Sequence, residues 1–581
     1  MDRCFILLLG LTCLLPKGTF AEETVIKAHK AVPVSKRVKK ADPKPWMKPD
    51  PKALKRWEDM RFGMFIHWGP VSLTGHEIGW SRGAETPIAE YDQLYKRFNP
   101  VKFDADKWVS IAKAAGMKYI VLTTKHHDGF CMFNTKATDY NIMNSPFGRD
   151  VTRELSLACK RQGIAFGTYY SVCDWHNPDF PLTSPGGSVK RETSNIEAYT
   201  KYLETETKEL IRNYGPLVLM WFDVPQEVDQ ERGERIIRHV RSLQPSLIVN
   251  NRSGAGGDYD TPEQTIGMYQ DNRPWETCMT ICNQWSWKPD DTMKPLDQCL
   301  RTLITCAGGD GNLLFNVGPT PDGIIEERQA ARLQEMGEWL KHYGESVYGT
   351  RGGPWMPTPD YVSTRKGDTV YLHIFKWSSD TLALPALPKE ITRAMLLTGG
   401  NVTINRTSDE ITLYVPIANR QPIDTVIKLT LKSSAMDIPV IHMETVGGVV
   451  RQLTPYKFAT ASNTYQLLKD HAPDKALDGN PGTRWATDAG THTAWLEVDY
   501  GKQRTFDAVV IMEKSYPRTR LFELLWLDGE TWKPFYKGTT IGERLVLKLD
   551  PITTQKVRLN ILDATEGPTI EEFQMLEIIK K

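Results

Sequence analysis

Six polar side chains able to carry charge or protons follow directly on short apolar runs: His67, His126, His127, Tyr170, Asp223 and Arg252. The sharpest case is Leu217 to Asp223, an uncharged run of high strand propensity that stops at a carboxylate. Such a run reads as a strand buried on both faces, as in a parallel sheet. The C-terminal end of a barrel strand is where βα loops build an active face. Singly, each residue has an ordinary explanation: a turn cap, a core histidine, a structural ion pair. Gathered at one mouth they form a site, with a carboxylate to attack, imidazoles and a phenol to bond hydroxyl groups, and a guanidinium to balance charge. His126 and His127 are adjacent, and neighbouring side chains on an extended segment point apart. Neutral imidazoles bonding sugar hydroxyls therefore suit them better than a shared metal ion.

The elements that position these residues alternate. Strands at 61–66, 119–125, 165–171, 217–223, 247–252 and 312–317 are interleaved with helical spacing at 104–116, 149–162, 196–213, 231–243, 295–307 and 326–343. Repeated strand–helix units with short linkers predict a closed (β/α)8-like barrel over residues 56–354. Beyond Trp355 the helices stop. Strands at 369–375, 394–397, 411–415 and 425–431 predict a small antiparallel β-sandwich over 355–435. A connecting segment, 436–455, and a last domain, 456–581, follow.

Composition sets the bounds. The 581 residues are 40% hydrophobic and 25% charged, ordinary for a multidomain globular protein, and a formal net charge of +1 leaves no basic field for nucleic acid. Met1–Ala21 has Arg3, an apolar run too short to span a bilayer, and small residues before Ala21, which predicts a signal peptide and an exported, periplasmic or secreted protein. Residues 22–55 read as a Lys- and Pro-rich leader that need not pack. No later segment is long and apolar enough to be an integral membrane span. Seven cysteines remain after the signal, irregularly spaced, and they read as buried free thiols rather than a disulfide framework.

Six stretches together, Phe62–Gly69, Lys125–Phe130, Tyr169–Ser171, Trp221–Asp223, Val249–Arg252 and Asn312–Pro319, closely resemble the motif series of the α-L-fucosidases of glycoside hydrolase family 29. The resemblance covers about Trp57 to Trp355. It implies a retaining exo-glycosidase acting on fucosylated oligosaccharides or glycoconjugates, with no catalytic cofactor and with Asp223 as nucleophile. The fucose-binding residues it implies are His67, His126, His127, Tyr170, Trp221 and Arg252, and more loosely Glu77 and Trp80. One departure is visible: the family usually has Gly after the nucleophile, and this chain has Val224-Pro225. That change bears on the sugar, because α-L-galactose differs from fucose only at C6. The alternatives are accordingly an α-L-galactosidase or related hydrolase on the same barrel, or an inactive carbohydrate-binding protein.

Retention needs two carboxyl groups about 5–5.5 Å apart, one to attack C1 and one to protonate the leaving oxygen. For the second, Glu263 resembles the acid/base of bacterial members in its position, and Glu276 is the rival. Each has a structural reading, Glu263 as a helix-capping acid after Pro262 and Glu276 as the partner of a barrel arginine. Trp285 and Trp287 follow in a loop that fits packing on the apolar face of a sugar.

At the C-terminus, residues 476–485, 495–501, 526–532, 556–559 and 570–573 resemble discoidin-type β-sandwiches (jelly rolls), including family 32 carbohydrate-binding modules. That resemblance implies a structural Ca²⁺ at Asp478, Asn480, Thr483 and Glu572. Oxygen donors on a tight Gly turn suit a hard cation.

Overall fold

The computed structural model describes residues 45–184, 190–267, 269–270, 273–407, 410–441, 443–446 and 449–578. The expected signal peptide and most of the leader lie outside the described residues. The leader's end does pack. Helix α1 (Pro51–Met60) begins with Pro at its first turn, is capped by Asp50, and buries Ala53 and Trp57. Before it, Trp46 lies under the guanidinium of Arg238 and accepts a hydrogen bond from Arg241.

Residues 62–317 hold a parallel sheet, built from β1 (Phe62–Ile66), β2 (Tyr119–Lys125), β3 (Ala165–Ser171), β4 (Leu219–Asp223), β5 (Ile248–Val249), β6 (Glu276–Thr280) and β7 (Asn312–Val317), in the order β5-β4-β3-β2-β1-β7-β6. Its helices are a single turn α2 (Ile88–Tyr91), α3 (Ala105–Ala114), α4 (Val151–Gln162), α5 (Ile196–Tyr214), α6 (Gln230–Leu243), α7 (Leu296–Gly308) and α8 (Glu327–Tyr343). Asp104, Asp150, Asn195 and Asp229 each accept a backbone N–H as N-caps and so fix where α3 to α6 begin. None of the described helices is long and apolar enough to cross a membrane.

The two edge strands, β5 and β6, are joined by the segment 259–263. Tyr259 bridges to Asn250, and Asp260 and Glu263 bridge to Trp275 and Cys278, all in parallel sense. Asp258 N donates to Val249 O at 2.7 Å, and Cys278 N donates to Pro262 O at 3.1 Å. This short segment is the eighth stave and closes the ring. Getting there without a helix requires a tight return at Gly257, whose φ is +53° and where a Cβ would sit 2.0 Å from Asn250 O.

Strand alternation divides the barrel strands between two cores. Phe65, Tyr119, Val121, Tyr169, Leu219, Trp221, Ile248, Tyr259, Cys278 and Leu314 fill the interior. Met64, Ile120, Phe166, Tyr170, Met220, Phe222, Val249 and Phe315 pack outward against the helices.

Eight further strands make the expected sandwich: β8 (Arg351–Gly352), β9 (Tyr361–Lys366), β10 (Thr369–Ile374), β11 (Thr381–Pro385), β12 (Ile391–Leu396), β13 (Thr403–Arg406), β14 (Glu410–Tyr414) and β15 (Thr425–Leu431), in sheets β12-β15-β10-β9-β8 and β11-β14-β13 around Trp355. The stretch expected to be a connecting segment is more than a linker. It carries the hairpin β16 (Met443–Val446) and β17 (Val449–Leu453), and β17 pairs with β25 (Glu572–Ile578) of the last domain. Most of that domain is one antiparallel sheet of β18 (Phe458–Ala461), β20 (Ala494–Met512), β21 (Thr519–Asp528), β22 (Thr531–Gly538), β23 (Leu545–Ala564) and β25, with β19 (Trp485–Ala486) and β24 (Thr569–Ile570) paired apart, over a core that includes Trp485, Phe506, Phe522 and Phe573.

Candidate active site

Asp223 is the last residue of β4, at the C-terminal mouth, with 13% of its side chain exposed. Its Oδ2 accepts the Tyr169 hydroxyl at 2.9 Å and its Oδ1 accepts Arg252 Nη1 at 3.0 Å. The same Nη1 donates to Glu263 Oε2 at 2.8 Å. One guanidinium nitrogen thus serves both carboxylates, and their oxygens are no farther apart than the sum of those two bonds. Arg252 is held in turn by the closing stave: Nε donates to Thr261 Oγ1 and Nη2 to Thr261 O, each at 2.8 Å. Beneath it lies the Trp221 ring, 4.9 Å from the guanidinium, a cation–π contact worth about 0.5–2 kcal/mol. Burial works against the Arg252 charge, but Asp223 and Glu263 more than offset it and push its pKa further up.

Three imidazoles line the wall. Burial drives His67 down to about 3, although Asn316 and Asp223 oppose the shift. His127 falls to about 4 for the same first reason, and His126 lies well below its usual value. All three are neutral near pH 7. Asn316 Nδ2 donates to Trp285 O at 2.7 Å, so its Oδ1 faces His67 Nδ1, 2.6 Å away, and that nitrogen carries the proton. Ser171 Oγ donates to Cys173 O and sits 2.7 Å from His127 Nδ1, which fixes the same tautomer. Both rings therefore turn a bare Nε2 acceptor away from their anchors. His126 and His127 do not splay apart as an extended segment would dictate. A turn in which Gly129 N donates to His126 O brings their ring centroids within 3.9 Å.

The remaining expected residues fall into two groups. Trp80, 42% exposed, stands edge-on to His127 at 5.2 Å on the rim. Glu77 spends both carboxylate oxygens on the 285–286 loop, accepting from Trp285 N at 2.9 Å and Ser286 N at 3.1 Å. It holds that loop, and Trp285 is the loop indole that reaches the site, its ring 4.8 Å from His67. Trp287 makes no ring contact among the described residues.

Tyr170 is not at the mouth. It is fully buried on the outward face of β3, donates to Glu206 at 2.6 Å and accepts from Lys125 at 2.7 Å. Strand alternation is the reason: Tyr169, one residue earlier, shares the interior with Trp221, stacks on it at 5.6 Å and reaches Asp223. Glu276 is also remote from the mouth. As the first residue of β6 it lies at the opposite end of the strand, 0% exposed, accepting from the Tyr119 hydroxyl and from Trp221 Nε1 at 3.2 Å. Burial pushes its carboxyl up to about 7.

Val224 has φ +46°, a left-handed conformation in which a β-branched residue is strained by about 1–3 kcal/mol. The position after Asp223 needs the conformation that Gly adopts freely, and this chain builds it from Val.

In the last domain, Thr483 Oγ1 lies within 3.2 Å of four oxygens: Lys475 O, Asn480 O and both oxygens of Asp478. One hydroxyl proton cannot serve four acceptors. Asp474, Asp478 and Glu572 also converge on Tyr456, whose phenol is raised first by burial and then by those three charges. Oxygen donors such as Asp478, Thr483 and the Lys475 and Asn480 carbonyls are the type a hard cation takes, but among the described residues no group of three or more His, Cys, Asp and Glu is arranged to hold a metal ion. The Asn480 side-chain oxygen accepts from Gly482 N.

A ring of eight parallel staves with paired carboxylates and neutral histidines at its C-terminal mouth is the framework of a glycoside hydrolase. Residues 31–345 match the Alpha-L-fucosidase family model, and residues 458–573 match the F5/8 type C domain. With more than half of its length matched, the chain belongs to the α-L-fucosidase family. It is 32% identical over 385 residues to plasma alpha-L-fucosidase of Homo sapiens, covering 60% of this chain and 81% of that one. Among solved structures it is similar to alpha-L-fucosidase isoenzyme 1 from Paenibacillus thiaminolyticus, with a TM-score of 0.60 and 32% identity over 66% of this chain and 99% of that chain. It also matches a GH29 alpha-L-fucosidase from Bacteroides thetaiotaomicron trapped as a covalent intermediate, with a TM-score of 0.60 and 28% identity, over 66% of this chain and 97% of that chain.

Proposed function

We propose that this α-L-fucosidase is an exported, retaining exo-enzyme that removes terminal α-L-fucose through a glycosyl-aspartate intermediate. Asp223 attacks C1 as the bond from C1 to the leaving oxygen breaks, and Glu263 gives that oxygen its proton. In the second step Glu263 takes a proton from water, the water oxygen attacks C1, and the ester to Asp223 opens. The observation that carries this reading is the Arg252 nitrogen shared by both carboxylates. While Asp223 is an uncharged ester, Glu263 is an anion, so the guanidinium keeps one charged partner throughout. The relative trapped as a covalent intermediate supports the same chemistry. Glu276, sealed in the floor and facing away from any leaving group, has no part in proton transfer.

His67, His126 and His127 bond the sugar hydroxyls, and Trp221, Trp285 and Trp80 cover its apolar faces. Export rests on the charged and apolar pattern of residues 1–21. The last domain is a glycan-binding module in which Asp478, Thr483, Glu572 and the carbonyls of Lys475 and Asn480 hold a Ca²⁺ that would brace the turn against β25. Val224 carries a second reading at the level of the sugar, an α-L-galactosidase, because its left-handed backbone sits directly beside the nucleophile where the family pattern has Gly, although its side chain packs against the outer core.

The test is the stereochemistry of the first product. Proton NMR during hydrolysis of an aryl α-L-fucoside should show α-L-fucose first, with the β anomer appearing later by mutarotation. First appearance of β-L-fucose contradicts the double displacement. Faster turnover of the aryl α-L-galactoside favours the second reading.

A further inference from the structure

At one end of the last domain, loops from four parts of its sequence enclose a cavity of about 390 Å³, lined by Tyr465, His471, Arg484, Tyr516, Arg518 and Glu566 among others. That volume suits a small ligand. Its chemistry is cationic and aromatic. Tyr516 is 42% exposed, and the guanidinium carbons of Arg484 and Arg518 lie 5.2 and 4.9 Å from its ring centroid. Among the described residues neither arginine enters an ion pair. Arg518 spends one nitrogen on Gly567 O at 2.6 Å, and Arg484 Nε is buried without a hydrogen-bond partner. His471 stands edge-on to Tyr465 at 5.4 Å, with its Nδ1 likewise buried and unpartnered.

The acidic groups nearby are partly committed to backbone donors, and Glu566 also acts on the Arg518 charge. Glu566 accepts from the backbone N–H groups of Gly490 and Gly567, and Asp488 accepts from Gln466 N and from Asn463 Nδ2. Two guanidiniums beside one aromatic face, Arg484 with a buried unmet donor, outnumber Glu566, the one carboxylate in the lining, whose charge acts on Arg518 alone of the two, and an outside anion completes the arrangement. Guanidinium forks match the planar or tetrahedral oxygens of carboxylate and sulfate, and an exposed phenol ring offers a face to sugar C–H groups.

We propose that this cavity binds an anionic sugar, one carrying a carboxylate or a sulfate group, and so carries the barrel to acidic glycans. The inference rests on reading the last domain as a glycan-binding module and names the class of glycan. Arg484 and Arg518 grip the anion, Tyr516 carries the ring, and His471 supplies a further donor. The barrel is free to act on fucose elsewhere on the same polymer.

The test uses the full chain in affinity electrophoresis at 0.15 M salt, with polygalacturonate, a sulfated galactan or a neutral galactan cast in the gel. Retardation by either anionic polymer but not by the neutral one is expected. Retardation by polygalacturonate alone assigns carboxylate as the ligand group, and by the sulfated galactan alone assigns sulfate. Arg484→Gln and Tyr516→Ala should each weaken that binding at least tenfold and leave aryl fucoside turnover unchanged. Tyr516 is exposed enough that its loss does not threaten the fold. Equal retardation by the neutral galactan overturns the anionic assignment while the glycan-binding reading stands, and retardation by none of the three overturns both. Undiminished binding in both variants overturns the site.

Discussion

The barrel holds acidic side chains at both of its ends, and the two ends treat them oppositely. At the mouth, Asp223 and Glu263 share a cation, and Glu263 is 42% exposed. At the floor, Glu276 is 0% exposed and is met by neutral donors, the Tyr119 phenol and the Trp221 indole foremost. The mouth stabilises negative charge and leaves it reachable. The floor desolvates a carboxyl, pushes it up to about 7 and walls it in. A perturbed pKa is often taken as the sign of a catalytic group. Here the raised carboxyl of Glu276 is walled in, and on the proposed mechanism access decides which carboxylates do chemistry.

The largest effect expected from this contrast is at the nucleophile. Asp223→Asn should lower kcat on an aryl fucoside by about 10⁴-fold or more, since no ester can form. Glu276→Gln should stay within about tenfold of wild type, acting only through Trp221. A loss at Glu276→Gln rivalling that of Asp223→Asn would erase the distinction between mouth and floor.

The adjacent tyrosines of β3 offer a smaller version of the same contrast. Tyr169→Phe removes a hydrogen bond to a charged carboxylate worth about 1.5–3 kcal/mol, so kcat/KM should fall roughly 10- to 100-fold with little change in Tm. Tyr170→Phe leaves Lys125 and Glu206 short of a partner. It should cost about 1–3 kcal/mol of stability, read by urea denaturation, while kcat/KM holds. Reversed outcomes would put the wrong tyrosine in the site.

Glu276 also predicts a pH signature in stability. Its carboxyl is raised in the folded state, so between about 4.5 and about 7 the folded protein binds more protons than the unfolded chain. The group's contribution is full below the unfolded value and is lost as pH rises through the folded one. Wild type should therefore lose roughly 2–3 kcal/mol of stability between pH 5 and 8 relative to Glu276→Gln, which carries no such proton. Parallel stability curves for the two proteins would contradict the floor's assignment.

Much of this was legible in the sequence because apolar runs ending in polar residues mark barrel strand ends. His67, Asp223 and Arg252 follow such runs, and the structure places Asp223 at a strand end beside Arg252. Tyr170 was misplaced because a strand end specifies a position but not a face. The alternation of Leu219, Trp221 and Asp223 shows which side of β4 is inward, and only the pairing of Tyr169 with Trp221 carries that parity across to β3. That Glu276 stands as a rival to Glu263 in the sequence has a related reason. The chain from Gly257 to Glu276 has no helix to mark the strand–helix rhythm, so nothing in the sequence shows that Glu263 rides on the closing stave while Glu276 begins the next strand. The hairpin at 443–453 looks like a linker in the sequence because its two short strands have no nearby partner to complete a sheet. Their partner, β25, lies at the far end of the chain.

In the proposed mechanism Glu263, and not Glu276, handles the proton, and leaving-group dependence with azide tests that assignment most directly. Glu263→Ala should slow hydrolysis of natural linkages by about 10²–10⁴-fold and spare an aryl fucoside with an acidic phenol, because only an alkoxide leaving group needs the proton. Azide should then restore the second step and give the fucosyl azide of retained configuration. If instead Glu276→Ala shows that dependence and that azide product while Glu263→Ala behaves like wild type, the proton passes through the floor of the barrel and the account fails.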